Sequence, residues 1–181
     1  MTAKGHMLLA STLTFGALTF AKVHYPHYAP SSLISLSVIL CGVLVGSLFP
    51  DIDEEESYIG NKLKLFSIVI ASIFKHRTFT HYLITPIIGL LLTYFFVEPV
   101  THTQLFFYSF SLGMLIHDLG DMLTNGGIRG FFFPLFPNTR IALLPSFLRF
   151  STFSLTEYVF IGLILFPTNT YLVLHFFNVI Q

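Results

Sequence analysis

From Leu33 to Pro50 the chain runs eighteen residues without a charged side chain, close to the roughly 20 apolar residues an α-helix needs to cross a bilayer. In hydrocarbon every backbone amide must find its partner within the protein, so a run of this kind reads as a spanning helix. Four further stretches are predominantly apolar over a similar length, and the predicted spans are about 5–23, 33–50, 81–98, 104–123 and 155–177. Leu63–Phe74 is apolar but about half the required length, and is expected to lie in the interface or re-enter on one side. The expected fold class is an all-α integral membrane protein with about five transmembrane helices plus one short interfacial or re-entrant helix. One domain covering 1–181 is the simplest organisation, since no internal repeat and no low-complexity linker is visible.

Charge supports this reading and narrows the partners. Only 10% of the residues are charged, against about 25% in a soluble domain. Nine Lys and Arg balance nine Asp and Glu, so no basic excess argues for nucleic acid. The single cysteine, Cys41, excludes an internal disulfide and a cysteine-based zinc cluster. Met1–Ala21 has the outline of a signal peptide, with Lys4 before an apolar stretch, but is expected to stay as the first helix. With five spans, Lys4, Lys62, Lys64, Lys75, Arg77, Arg129, Arg140 and Arg149 share one side and Lys22 alone occupies the other. The positive-inside rule makes the crowded side cytoplasmic.

Ionisable residues inside spans are costly and usually face a protein interior or a water-filled cavity, and here they recur in three places. The second span ends in Leu48-Phe-Pro-Asp-Ile-Asp-Glu-Glu-Glu56, where Pro50 is expected to stop the helix. Asp51 and Asp53 can converge on a cation or belong to a solvated acidic loop. In Phe74-Lys-His-Arg-Thr-Phe-Thr-His-Tyr-Leu83, His76 and His81 stand about 140° apart on a regular helix. They converge if His76 sits in the turn before the third span and His81 in its first turn, with Thr78 or Thr80 capping backbone N–H groups; otherwise they are interfacial residues beside basic anchors. In the fourth span His117 and Asp121 are four residues apart and share a helical face, with Asn125 one further turn along. Asp118 points elsewhere, as a supporting or packing residue. His6 opens the first span.

The spans alone put His6, Asp51, Asp53, His76, His81, His117 and Asp121 at one membrane face. His24, His27, His102 and His175 fall near the other, without carboxylates. Imidazole and carboxylate together suit zinc, manganese or iron, and four His plus three Asp exceed one tetrahedral site but suit a two-metal centre. Beyond the fourth span, Thr124–Thr152 mixes Gly, Pro and Phe with Arg129, Arg140 and Arg149. It is expected to be an interfacial loop, either flanking the site and admitting a lipid or serving as an aromatic anchor. Glu157 is left open between a supporting acid and a lone interfacial one.

The early His6, Leu48-Phe-Pro-Asp-Ile-Asp53, His76-Arg-Thr-Phe-Thr-His81 and His117-Asp-Leu-Gly-Asp-Met-Leu-Thr124 followed by Gly126-Gly-Ile together resemble the YdjM-like family of LexA-regulated inner-membrane proteins regarded as metal-dependent hydrolases. The family's second motif commonly reads His-Arg-Gly-x-Thr-His-Ser, where Thr78 and Tyr82 stand here. The resemblance implies a multi-span helical protein of a bacterial-type inner membrane, with metal ligands at His6, Asp51, Asp53, His76, His81, His117 and Asp121. The set also looks, more distantly, like the metal centre of zinc-dependent phospholipase C enzymes.

The function expected is a cytoplasm-facing metallohydrolase acting on a phosphoester of a lipid or amphiphile, with two divalent ions, zinc foremost. Asp53 is expected to act in catalysis as well as ligation. Arg77, Arg129 and Arg140 are the candidates to neutralise phosphoryl charge, Arg77 and Arg129 foremost. Two other classes stay open: a metal or proton transport path, which predicts donors continuing across the bilayer, and a non-catalytic membrane protein with a structural metal.

Overall fold

Thr2, Ser32, Thr101 and Ser154 each stand before a helix and turn a side-chain hydroxyl back to accept a backbone N–H of its first turn. These caps satisfy donors that no helix can satisfy by itself. In the computed structural model, which describes residues 1–30, 32–74 and 78–180, they open α1 (Ala3–His24), α2 (Leu33–Gly46), α6 (His102–Met122) and α7 (Leu155–Phe160). Between α2 and α6 lie α3 (Tyr58–Lys62), α4 (Lys64–Ile73) and α5 (Ile84–Phe96), and α8 (Phe166–Phe176) follows α7. A π-turn over Ile161–Leu165 joins α7 to α8. It lies just before Pro167, which lacks an N–H and whose ring would press on the carbonyl of Leu163 in a regular helix.

Helices stand at all five predicted segments. Three, Ala3–His24, Leu33–Asp53 and Leu155–Phe176, are long and apolar enough to cross a membrane. α5 has 13 residues, about 20 Å at 1.5 Å per residue. α6 has the length, at 21 residues, but Gln104, His117, Asp118 and Asp121 lower its hydropathy. The short apolar segment is α4, ten residues long. α2 ends at Gly46, four residues before Pro50, which instead opens a 3-10 turn over Phe49–Asp53. Thr124–Thr152 is not wholly irregular: Ile128–Arg129 pairs antiparallel with Arg140–Ile141, a small sheet that the all-α expectation lacks.

The tightest seam joins α2 to α6. A Cβ at Gly42 would stand 2.5 Å from the carbonyl oxygen of Phe106. One at Gly46 would strike the Phe110 carbonyl, and one at Gly113 the Val43 carbonyl. Lipid tails compete well for large apolar side chains, so membrane helices gain most by backbone-close contact through small residues. Gly42-Val-Leu-Val-Gly46 supplies that contact. α1 packs on α8 through Phe15 against Phe176, whose rings meet edge-on at 5.7 Å, and through Asn169, which donates to Ser11 at 2.8 Å.

Polarity runs opposite to that of a soluble domain. His6, His81, His117, Asp118, Asp121 and Glu157 are buried, while Leu65, Phe96 and Leu163 are 81%, 81% and 74% exposed. An apolar exterior over a polar interior is the arrangement that hydrocarbon solvent favours.

Candidate metal centre

Four elements carry the polar residues to one end of the bundle: the first turns of α1, the 3-10 turn after α2, a 3-10 turn over Phe79–His81 before α5, and the last turns of α6. Gly120 lets α1 approach α6, since a Cβ there would lie 2.9 Å from His6 Nδ1. The α2–α6 seam has a second consequence. It brings the Ser47 carbonyl within 2.7 Å of His117 Nδ1. A carbonyl only accepts, so the proton sits on Nδ1 and Nε2 presents its lone pair to the interior.

His81 is oriented the same way by a different route. The Thr80 hydroxyl donates to Asp53 Oδ2 at 2.7 Å and lies 3.0 Å from His81 Nδ1. Its one proton is committed to the carboxylate, so we assign Nδ1–H as donor to the hydroxyl. Asp53, Thr80 and His81 thus form a relay that turns Nε2 inward.

The two inward nitrogens face two carboxylates. His81 Nε2 lies 4.0 Å from Asp51 Oδ1 and 3.7 Å from Asp121 Oδ2; for His117 Nε2 the corresponding distances are 3.6 and 3.9 Å. Ligands held 2.0–2.2 Å from a tetrahedral ion are about 3.4 Å apart; each of these imidazole–carboxylate pairs is a few tenths of an ångström wider. Asp121 also faces the other way: its Oδ1 lies 3.4 Å from His6 Nε2 and accepts from the Met1 ammonium at 2.7 Å. His6 stacks on His117 with centroids 3.7 Å apart. Neither nitrogen of His6 makes a hydrogen bond, although the residue is buried. Two overlapping sets result, His6–Asp51–His117 and His81–His117–Asp121, each with donor atoms within 4.8 Å of one another. These buried His and Asp groups could hold a metal ion, and their mixed nitrogen and oxygen donors fit zinc, manganese or iron better than magnesium or calcium.

Several sequence readings change here. Among the described residues Asp53 joins neither set; its Oδ2 accepts from Thr80 and lies 3.7 Å from His81 Nδ1. A 3-10 turn has three residues per turn, so side chains two apart point to different sides. Thr80 orients a histidine instead of capping the backbone, and His81 ends the turn, three residues before α5 begins. Asn125 lies past the end of α6 and its amide donates to Ser151 at 2.9 Å, so it does not continue the His117–Asp121 face. Asp118 is buried with neither oxygen hydrogen-bonded. His76 and Arg77 lie outside the described residues.

Arg129 is exposed on the small hairpin. Arg140 donates to the carbonyls of Gly126 and Asn125, and Arg149 to that of Leu144, so both stitch the segment after α6. Glu157 turns out to be a brace: its oxygens accept the backbone N–H groups of Thr2 at 2.6 Å and Phe153 at 2.7 Å, holding the start of α1 against α7. Sequence reading missed Ser47, whose part is played by its backbone, and the glycine seam, whose Gly-x-x-x-Gly spacing was there to be read.

A cavity of about 820 Å³ adjoins the cluster, and Asp51, 22% exposed, is the cluster carboxylate that lines it.

Comparison with known proteins agrees with this picture. The family model described as YdjM inner membrane protein matches residues 1–180. The inner membrane protein YdjM of Escherichia coli (strain K12) is 34% identical over 138 residues, covering 71% of this chain and 63% of that protein. The same figures hold for YdjM of Shigella flexneri. The uncharacterized protein YvsG of Bacillus subtilis (strain 168) is 35% identical over 110 residues, 61% of this chain and 64% of that protein. The chain therefore spans a little under two thirds of the length of these curated relatives. No solved structure matches it. With the family model matched from end to end and the glycine seam and buried His/Asp cluster in place, the chain belongs to the YdjM family of inner membrane proteins.

Proposed function

We propose that this protein is a membrane-embedded metal-dependent hydrolase acting on a phosphoester of a lipid or amphiphile, with its centre at the cytoplasmic end of about five spans. The observation that carries the reading is the inward pair of imidazole nitrogens facing Asp51 and Asp121 at 3.6–4.0 Å. His81, His117 and Asp121 would hold one ion, and His6 and Asp51, which group with His117, extend the set toward a second; zinc suits these donors best. Such ions supply Lewis acidity, polarising a substrate oxygen and making water nucleophilic at neutral pH.

The chain's own residues do the rest. Ser47 and the Asp53–Thr80 pair hold the two rings in one tautomer. The apolar helices around them exclude bulk water, which strengthens electrostatic interactions within the centre. The partial exposure of Asp51 leaves one route by which an ester reaches the donors. Confinement of the cluster to one end of the bundle favours hydrolysis over transport, which calls for donors at successive depths. The cytoplasmic placement follows from the eight cations on that side against Lys22 on the other.

The test is metal analysis of the purified protein with a hydrolysis screen of phospholipids and simple phosphodiesters, before and after chelation. The expected result is transition metal at one to two equivalents and turnover that chelation abolishes and zinc restores. Protein that folds without metal and gains nothing from added zinc, manganese or iron would overturn the reading. Metal-dependent ion flux in liposomes without hydrolysis would replace it with transport.

A further inference from the structure

The cavity beside the cluster is bounded by the start of α1, the loop from Asp51 to Tyr58, and the segment Thr152–Ile161. Its volume, about 820 Å³, lies in the range of compartments that enclose a small organic ligand. Asp51 belongs both to the lining and to the donor cluster, so the cavity reaches the edge of the candidate metal centre.

We propose that this cavity holds the substrate of the hydrolase proposed above, that the substrate is a single-chain amphiphile with an anionic phosphoester head, and that Lys4 binds the head. The identification rests on that hydrolase reading and narrows it. Lys4 is the one cationic side chain among the described residues lining the cavity. It is exposed and makes no hydrogen bond or ion pair among the described residues, although Asp51, Glu54 and Glu56 line the same space. Of the described arginines, Arg140 and Arg149 bond backbone carbonyls, and Arg129, exposed on the hairpin, lies outside the lining.

Part of the lining is apolar. Phe153 and Tyr158 are 74% and 53% exposed, with Ile161 beside them. They lie at the start of Leu155–Phe176, the least buried of the three long apolar helices, at 11%. A hydrocarbon chain therefore passes from the surrounding apolar layer along this part of the lining without crossing water. An anion without a tail would make none of these apolar contacts, so head and tail are expected to bind together.

Calorimetric titration of the full chain in nanodiscs, loaded with zinc and corrected with empty discs, tests the assignment. The probes are octyl phosphate, octyl glucoside with the same tail and a neutral head, and inorganic phosphate with no tail. Octyl phosphate should bind at least tenfold more tightly than either of the others. Lys4→Gln should weaken it about tenfold, Tyr158→Ser severalfold, and Lys62→Gln, outside the cavity, not at all; zinc content should stay at the wild-type level in all three. Equal binding by wild type and Lys4→Gln, or inorganic phosphate binding as well as octyl phosphate, would overturn the proposal. The two readings fail separately. If the variants behave as expected but wild type hydrolyses no phosphoester, the hydrolase falls and the amphiphile site stands. If wild type hydrolyses and Lys4→Gln does so with unchanged KM and kcat, the amphiphile site falls alone.

Discussion

Asp118 and Asp121 are both buried carboxylates in the last turn and a half of α6, and they differ in what they meet. Asp121 faces His6, His81 and His117, each within 3.9 Å, whereas Asp118 has no hydrogen bond among the described residues. Asp121→Asn keeps the volume and removes the charge, so metal content should fall by at least half and hydrolysis should vanish. Asp118→Asn should retain metal and turnover, and it should not lower stability, because an amide costs less to bury than an unpartnered carboxylate. Metal stoichiometry measured on the two variants in parallel decides the matter; identical losses would remove Asp121 from the ligand set. Thr80 supplies a subtler case. Thr80→Val deletes the hydroxyl between Asp53 and His81 with almost no change in shape. Supporting hydrogen bonds of this kind are worth about 10–100-fold in metal affinity. A competition titration against a zinc chelator should show a loss in that range, with the fold intact.

At the scale of elements, the α2–α6 seam holds the site together, because the same close approach that packs Gly42, Gly46 and Gly113 against backbone brings Ser47 to His117. Overpacking a tight contact costs on the order of 1–3 kcal/mol, occasionally more. Gly46→Val should therefore lower the midpoint of an unfolding titration and weaken metal binding together, while Gly162→Val, where a Cβ meets nothing within 4 Å, should move neither greatly. A Gly46→Val protein as stable as wild type would show that the helices pack less closely than this. The joint between α1 and α7 acts similarly at the other side of the site, where Glu157 fastens the backbone of Thr2 and Phe153.

For the whole molecule the open quantity is sidedness. The short α4, ten residues long, reaches only about 15 Å along its axis, so the chain on either side of it should stay on one face of the membrane. Reporter fusions after Glu56 and after Arg140 should both report cytoplasm. A split result would mean that the segment around α4 crosses, and the cytoplasmic placement of the centre would have to be abandoned.

The local properties of the chain were legible because hydropathy is a sum over neighbouring residues. Helices occur at the five predicted segments, and a short one lies at 64–73. The parity of spans then grouped His6, Asp51, Asp53, His76, His81, His117 and Asp121 at one end with no knowledge of packing, His76 lying outside the described residues, and the His117–Asp121 face followed from helical spacing alone. What each of these residues does was decided by tertiary contacts between positions far apart in the chain. Asp51 and Asp53 are near-identical in sequence context, yet Asp51 faces the inward Nε2 atoms of His81 and His117 while Asp53 lies on the Nδ1 side of His81 and accepts from Thr80, 27 residues away. The tautomer of His117 depends on the carbonyl of Ser47, 70 residues distant. Arg140, which looked suited to phosphate, is committed to carbonyls of its own loop, and Lys4, which looked like a topology signal, lines the cavity. Hydropathy determines which segments leave water; only the distances between helices determine which polar groups then find one another, because a buried donor must be satisfied by whatever the packing brings within reach.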